Sequence, residues 1–153
     1  MLSRVHTSGP DVVTPDLIAE DPRALELYIR TCGSLWRAKN RLLELGVPTE
    51  FAVYVLPNAV RLRFTESGSL LDFLHKWRMR TCFLAQQEIY EASMQELAAV
   101  AKVHPRLTRY IGPPCHFRKG LVEDDGKRGP CPEGERWCGV PVWLNFPQVK
   151  RVF

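Results

Sequence analysis

The chain reads as an α+β protein with mainly helical secondary structure, and three observations lead there. Leu25, Ile29, Cys32, Leu35, Trp36, Leu42 and Leu43 recur at helical spacings and form one wide apolar stripe. From Val60 to Thr65, apolar Val60, Leu62 and Phe64 alternate with Arg61, Arg63 and Thr65, the pattern of a strand with one buried face. Beyond Pro105 the prolines at Pro105, Pro113, Pro114, Pro130, Pro132, Pro141 and Pro147 break up regular structure, leaving loops with short strands.

The elements follow in order. Residues 1–14 form an extended or mobile arm holding Gly9-Pro10 and no periodicity. Asp21 caps a helix with Pro22 at its first position, and Gly46 ends it after Leu45. Pro48-Thr49-Glu50 opens a short turn of helix that stops at Leu56-Pro57. Ser67-Gly68-Ser69 turns the chain from the strand into a helix over about Ser69–Met79. After a break around Arg80 to Cys82, a further helix runs from about Phe83 to Val103, stopped by His104-Pro105, with Ile89 packing inward. Three regions result: the arm 1–14, a helix-and-strand core 15–104, and a Pro/Gly/Cys-rich tail 105–153.

Composition narrows the class of protein. At 153 residues and 45% hydrophobic content, the chain suits one soluble domain with a real core. It holds no apolar run long enough to cross a bilayer and no signal-peptide centre, so a cytoplasmic protein is expected. A net charge of +4 favours anionic ligands slightly, but the Lys and Arg residues are scattered, which argues against duplex binding. Five cysteines cannot all be paired within one chain, so a complete disulfide framework is not expected.

Three groups of residues carry candidate chemistry. Ser67-Gly68-Ser69 places two hydroxyls and backbone N–H groups at a helix start, suited either to phosphate or simply to capping the helix. Arg80 offers a planar fork for a phosphate or a uracil-type carbonyl edge, or a charge at the helix C-terminus. The tail brings Cys115, Cys131 and Cys138 into Pro/Gly-rich loops of the kind that wrap Zn or an iron–sulfur cluster, with a fourth ligand from His104, His116 or Cys82. Reduced thiols packed in a small satellite core are the competing reading.

Leu70 to Ile89, LLDFLHKWRMRTCFLAQQEI, read with Ala52-Val53-Tyr54-Val55-Leu56-Pro57 and Thr65 to Ser69, resembles the C-terminal part of flavin-dependent thymidylate synthases. The family patterns are F-L-x-x-R, A-Q-x-E-I, A-R-x-V-L-P and T-G-S-L-R. The Cys tail is similar to tails in some members. The resemblance implies the C-terminal part of that fold and places FAD against Ser67, Gly68, Ser69 and His75. It assigns the nucleotide-contacting arginine to Arg80. It implies a uracil-type nucleotide substrate, a methyl-transfer reaction in which no protein cysteine attacks the pyrimidine, and a site built between subunits of a homo-oligomer. Broad apolar helix faces also point to a dimer or tetramer.

The sequence departs from the family at three places. Val53 and Leu71 stand where the family has arginines, and the R-H-R-x-x-S motif has no counterpart in this chain. Whether the chain is an enzyme therefore stays open. One reading is a divergent flavin-dependent thymidylate-synthase-like protein that acts on or binds a uracil-type nucleotide. The other is an accessory homologue that kept the scaffold without the site, or a subunit of a split enzyme whose second chain carries the missing motif.

Overall fold

A computed structural model describes residues 9–122 and 128–151. The first eight residues of the expected arm, including Arg4-Val5-His6-Thr7-Ser8, lie outside them. The described residues are mainly helical, as expected, and divide into two compact units, Met1–Glu66 and Ser67–Phe153.

The first unit is organised by one long helix. α1 (Asp16–Ala19) leads into α2 (Pro22–Glu44), where the Asp21 carboxylate accepts from the Arg23 and Ala24 N–H groups and Pro22 fills the first position. Gly46 ends the helix with φ +81°, a conformation only glycine adopts without strain. α2 packs against α1, α3 (Thr49–Ala52) and a 3-10 turn, Val53–Val55. Cys32 and Trp36 form its buried side, whereas Ile29 of the expected stripe is exposed. Lys39 is fully buried, with its ammonium 4.2 Å from the centre of the Trp36 ring; desolvation lowers its pKa.

The expected strand over Val60–Thr65 does not form. Val60 makes one antiparallel bridge with Val12, where Val13 N–H donates to the Ala59 carbonyl at 2.8 Å and Arg61 N–H to the Asp11 carbonyl at 2.9 Å. The backbone from Leu62 onward finds no ladder partner among the described residues, and Leu62 and Phe64 are 56% and 67% exposed. Alternation marks a strand only where a neighbouring strand supplies hydrogen bonds and a buried face. The bridge itself pins residues 11–13 of the expected arm, and the Tyr28 hydroxyl donates to the Val13 carbonyl.

In the second unit, α4 (Leu70–Arg80) packs against α5 (Gln87–Val103), and α5 against α6 (Pro105–Thr108). Glu96 of α5 fastens the first pair. Its carboxylate accepts from the Lys76 ammonium at 2.9 Å and from the Trp77 indole N–H at 3.0 Å. α5 starts at Gln87, four residues later than expected, because residues 81–86 are a tight turn that buries Thr81, Phe83 and Ala85. Thr81 stays buried by donating its hydroxyl to the Trp77 carbonyl at 2.7 Å. Ile89 is 39% exposed rather than packed inward; Tyr90 takes the inward position beside Phe83.

The tail supplies much of this unit's core. α7 (Pro114–Arg118) and α8 (Val142–Asn145) pack together, with a 3-10 turn at Gly134–Arg136 between them in sequence. Ile111, Cys115, Val142, Trp143 and Phe146 join Trp77, Phe83, Tyr90 and Leu97 in one buried cluster. The expected short strands are absent among the described residues; one parallel bridge, Lys119 to Val122, is all the β pairing the tail shows there. Its prolines start helical turns instead, at the first positions of α6 and α7.

Candidate functional site

The residues assigned to flavin and nucleotide lie along α4. Ser69 is its N-cap in a complete capping box. The Ser69 hydroxyl accepts from Asp72 N–H at 3.3 Å and donates to the Asp72 carboxylate at 2.7 Å, and Ser69 N–H donates to the same carboxylate at 2.9 Å. These bonds hold the Asp72 carboxyl below its ordinary pKa. Ser67 and Gly68 are exposed beside it. A phosphate could therefore use Ser69 only after the Asp72 carboxylate, a like charge, turned away.

Arg80 is exposed at the opposite end of this helix, which at 11 residues spans about 16 Å. His75 is exposed midway, about 140° around the axis from Arg80. Helix geometry thus spreads Ser67–Ser69, His75 and Arg80 along and around one element. Arg78, two residues from Arg80, is held with its guanidinium carbon 4.3 Å from the Phe117 ring centre. Val53 sits half-buried in the 3-10 turn of the first unit. Leu71 is 73% exposed on the first turn of α4.

The tail residues separate into two sites. His116, expected among the metal ligands, stacks on Phe146 with ring centres 5.1 Å apart and lines a cleft of about 420 Å³ with Met94, Leu97, Thr108 and Arg109. Burial, reinforced by the Lys119 charge, lowers its pKa and favours the neutral ring, whose Nδ1 is buried without a hydrogen-bond partner. The sequence contained no pattern for this cleft. It follows from Gly112, where an added Cβ would stand 2.8 Å from the His116 ring and 2.9 Å from Phe146.

All five cysteines are free; Cys115 belongs to the buried cluster of the second unit, and Cys131 and Cys138 pack against that cluster. The expected metal set of Cys115, Cys131, Cys138 and His116 is not assembled. Among the described residues, no three His, Cys, Asp or Glu side chains stand where one ion would hold them together. Burial pushes the Cys115 thiol up to about 12 and raises Cys82 and Cys131, with the neighbouring thiols adding to each. Such thiols are protonated near neutral pH and are poor nucleophiles.

Among the described residues, no helix is long and apolar enough to cross a membrane. The sequence profile of the thymidylate synthase complementing protein family matches residues 3–106. The chain is similar to the flavin-dependent thymidylate synthase of Sulfurisphaera tokodaii, with 34% identity over 74% of this chain and 43% of the relative. The namesake of Geobacter sulfurreducens is 32% identical over 94% and 55%, a match that extends through the Cys tail, and that of Saccharolobus solfataricus 37% over 69% and 40%. The chain thus spans about half the length of the curated relatives it matches. No solved structure matches it significantly. Over most of its length, and through the helix that carries Arg80, this chain belongs to the thymidylate synthase complementing protein family.

Proposed function

We propose that this chain is a divergent flavin-dependent thymidylate-synthase-like protein that binds FAD and a uracil-type nucleotide in a site shared between chains. The observation carrying this reading is Arg80, exposed at the end of α4 between the Phe73-Leu74 and Ala85-Gln86 anchors of the family pattern. Its fork would take the nucleotide's phosphate or carbonyl edge. At the other end of α4, Ser67, Gly68 and Ser69 would receive a flavin phosphate once Asp72 releases Ser69, and His75 would flank the cofactor. The donor types fit a phosphate, and when bound the flavin supplies reducing equivalents for methyl transfer. Because about 16 Å of helix separates the two ends, a compact site needs groups from another chain. A second copy would supply them, or a distinct chain bearing an R-H-R-x-x-S segment.

Calorimetry with dUMP and FAD on the purified protein tests this. Micromolar dUMP binding that falls at least tenfold in Arg80→Ala, with unchanged helical content, is the expected result. A protein that is colourless as purified and binds neither ligand would overturn it. That outcome would favour the second reading, a non-catalytic homologue, which rests on Val53 and Leu71 standing where the family has arginines.

A further inference from the structure

The cleft beside His116 takes one of its walls from α5. Met94, Leu97, Ala98 and Ala101 line it, and their spacing puts all four on one face of that helix. Two of the four are alanines, whose short side chains leave open the space a leucine would fill. The tail adds the Phe146 ring, which stacks on His116 because Gly112 has no Cβ to push the two rings away. The resulting space is about 420 Å³, and small-molecule sites usually measure about 300–1,000 Å³. Every residue lining it belongs to the second unit, and none comes from α4.

The charge around the cleft is one-sided. From Leu97 to Val122 the sequence carries Lys102, Arg106, Arg109, Arg118 and Lys119 and no Asp or Glu, and an unbalanced run of this kind draws anions. Arg109 lines the cleft itself, and no carboxylate does. Its guanidinium carbon rests 4.5 Å from the Tyr110 ring centre, with one N–H given to the Tyr110 hydroxyl. That contact steadies the fork and leaves further N–H donors on it. The Thr108 hydroxyl is already a donor to the His104 and Pro105 carbonyls, at 3.3 Å and 3.4 Å. Arg109, together with the exposed Gln148 amide, is therefore where an anionic group can be held.

We propose that this cleft binds a small amphipathic carboxylate, its alkyl or aryl body against Met94, Leu97 and Phe146 and its carboxylate on Arg109. An apolar wall with one cation at hand suits a ligand divided in the same way, because a few placed polar groups orient a body held by apolar contact. The planar guanidinium fork matches a carboxylate. His116 contributes ring surface and no second charge, since burial favours its neutral form. A polyanion would gain from the positive run but leave the apolar wall unused, so the wall favours a small ligand. Neither Arg80 nor Ser67–Ser69 lines the cleft, and the site is independent of the flavin reading.

The test titrates the full chain with octanoate and with 3-phenylpropionate, followed by calorimetry. Saturable binding of at least one of them, with one molecule per chain, is expected. Acetate, which has the charge without the body, and 1-octanol, which has the body without the charge, should each bind at least tenfold more weakly. Ala98→Leu combined with Ala101→Leu fills the cleft and should abolish binding while helical content stays unchanged. Arg109→Met should weaken carboxylate binding about tenfold, as loss of a charge-assisted bond does, and leave 1-octanol unaffected. If the filled variant fails to fold, NMR of the wild-type protein decides. Octanoate should then shift the Ala98 and Ala101 methyl signals and the His116 ring signals, and leave the Ala52 methyl of the first unit in place. Failure of both carboxylates to saturate, binding that survives the filled cleft, acetate or inorganic phosphate competing as well as octanoate, or shifts that omit Ala98 and Ala101 would each overturn the proposal.

Discussion

Gly129 shows how much one missing methyl group decides. It holds φ +56°, and an added Cβ would fall 2.3 Å from the Trp143 ring. Trp143 is buried, with Trp137 packed against it at a 6.1 Å ring separation. Gly129→Ala should therefore destabilise the protein by about 1–3 kcal/mol through overpacking, with further cost from the left-handed backbone. Chemical denaturation should show a lower midpoint with the transition slope preserved. A mutant as stable as the wild type would mean that Trp143 can move aside freely. The sequence marked this glycine only as part of a loop, because nothing local shows that an indole from fourteen residues later will rest on it.

At the scale of elements, α4 depends on its capping box. Ser69→Ala should cost about 1 kcal/mol, the usual loss for a serine cap. The electrostatic side has a definite sign. Bonds from the Ser69 hydroxyl and then the Ser69 N–H lower the Asp72 pKa beneath its reference 3.8. The folded state thus binds the proton less readily than the unfolded state, and the cap's contribution is present above pH 3.8. It is lost as pH falls through the lower folded value. A carboxyl titration followed by NMR should place the Asp72 midpoint below 3.8 in the wild type and move it upward in Ser69→Ala. An unshifted midpoint would show that the capping bonds do not persist in solution. This cap was legible in the sequence, where Ser67 and Ser69 stood before an apolar run. Which of the two serines caps, and that Asp72 closes the box, required the backbone.

At the scale of the whole molecule, apolar surface remains on both units. Leu27 and Ile29 of α2 are 55% and 59% exposed, and Leu71 of α4 is 73% exposed. Surfaces of this kind favour association, and closed symmetric assemblies are its common outcome. Light scattering at micromolar concentration should therefore return a dimer or tetramer. A clean 17.5 kDa monomer would leave Arg80 and Ser67–Ser69 at opposite ends of one helix with no partner groups between them.

The sequence by itself determined where α2 and α4 begin and where α2 and α5 stop, because caps and prolines act within a few residues. Asp21-Pro22, Gly46, Ser69 and His104-Pro105 all mark boundaries within a residue of those observed. It also determined the family, since the motif anchors around Arg80 are contiguous in the chain. Tertiary structure decided the rest. Val60–Thr65 alternates as a strand does, yet pairing depends on a distant partner, and among the described residues only Val12 offers one. The tail reads as loose loops, yet Val142, Trp143 and Phe146 complete the core around α4 and α5. His116 was expected among the tail cysteines, yet the fold stacks it on Phe146 in a separate cleft. Spacing along a chain carries no information about which side chains a folded core will bring face to face.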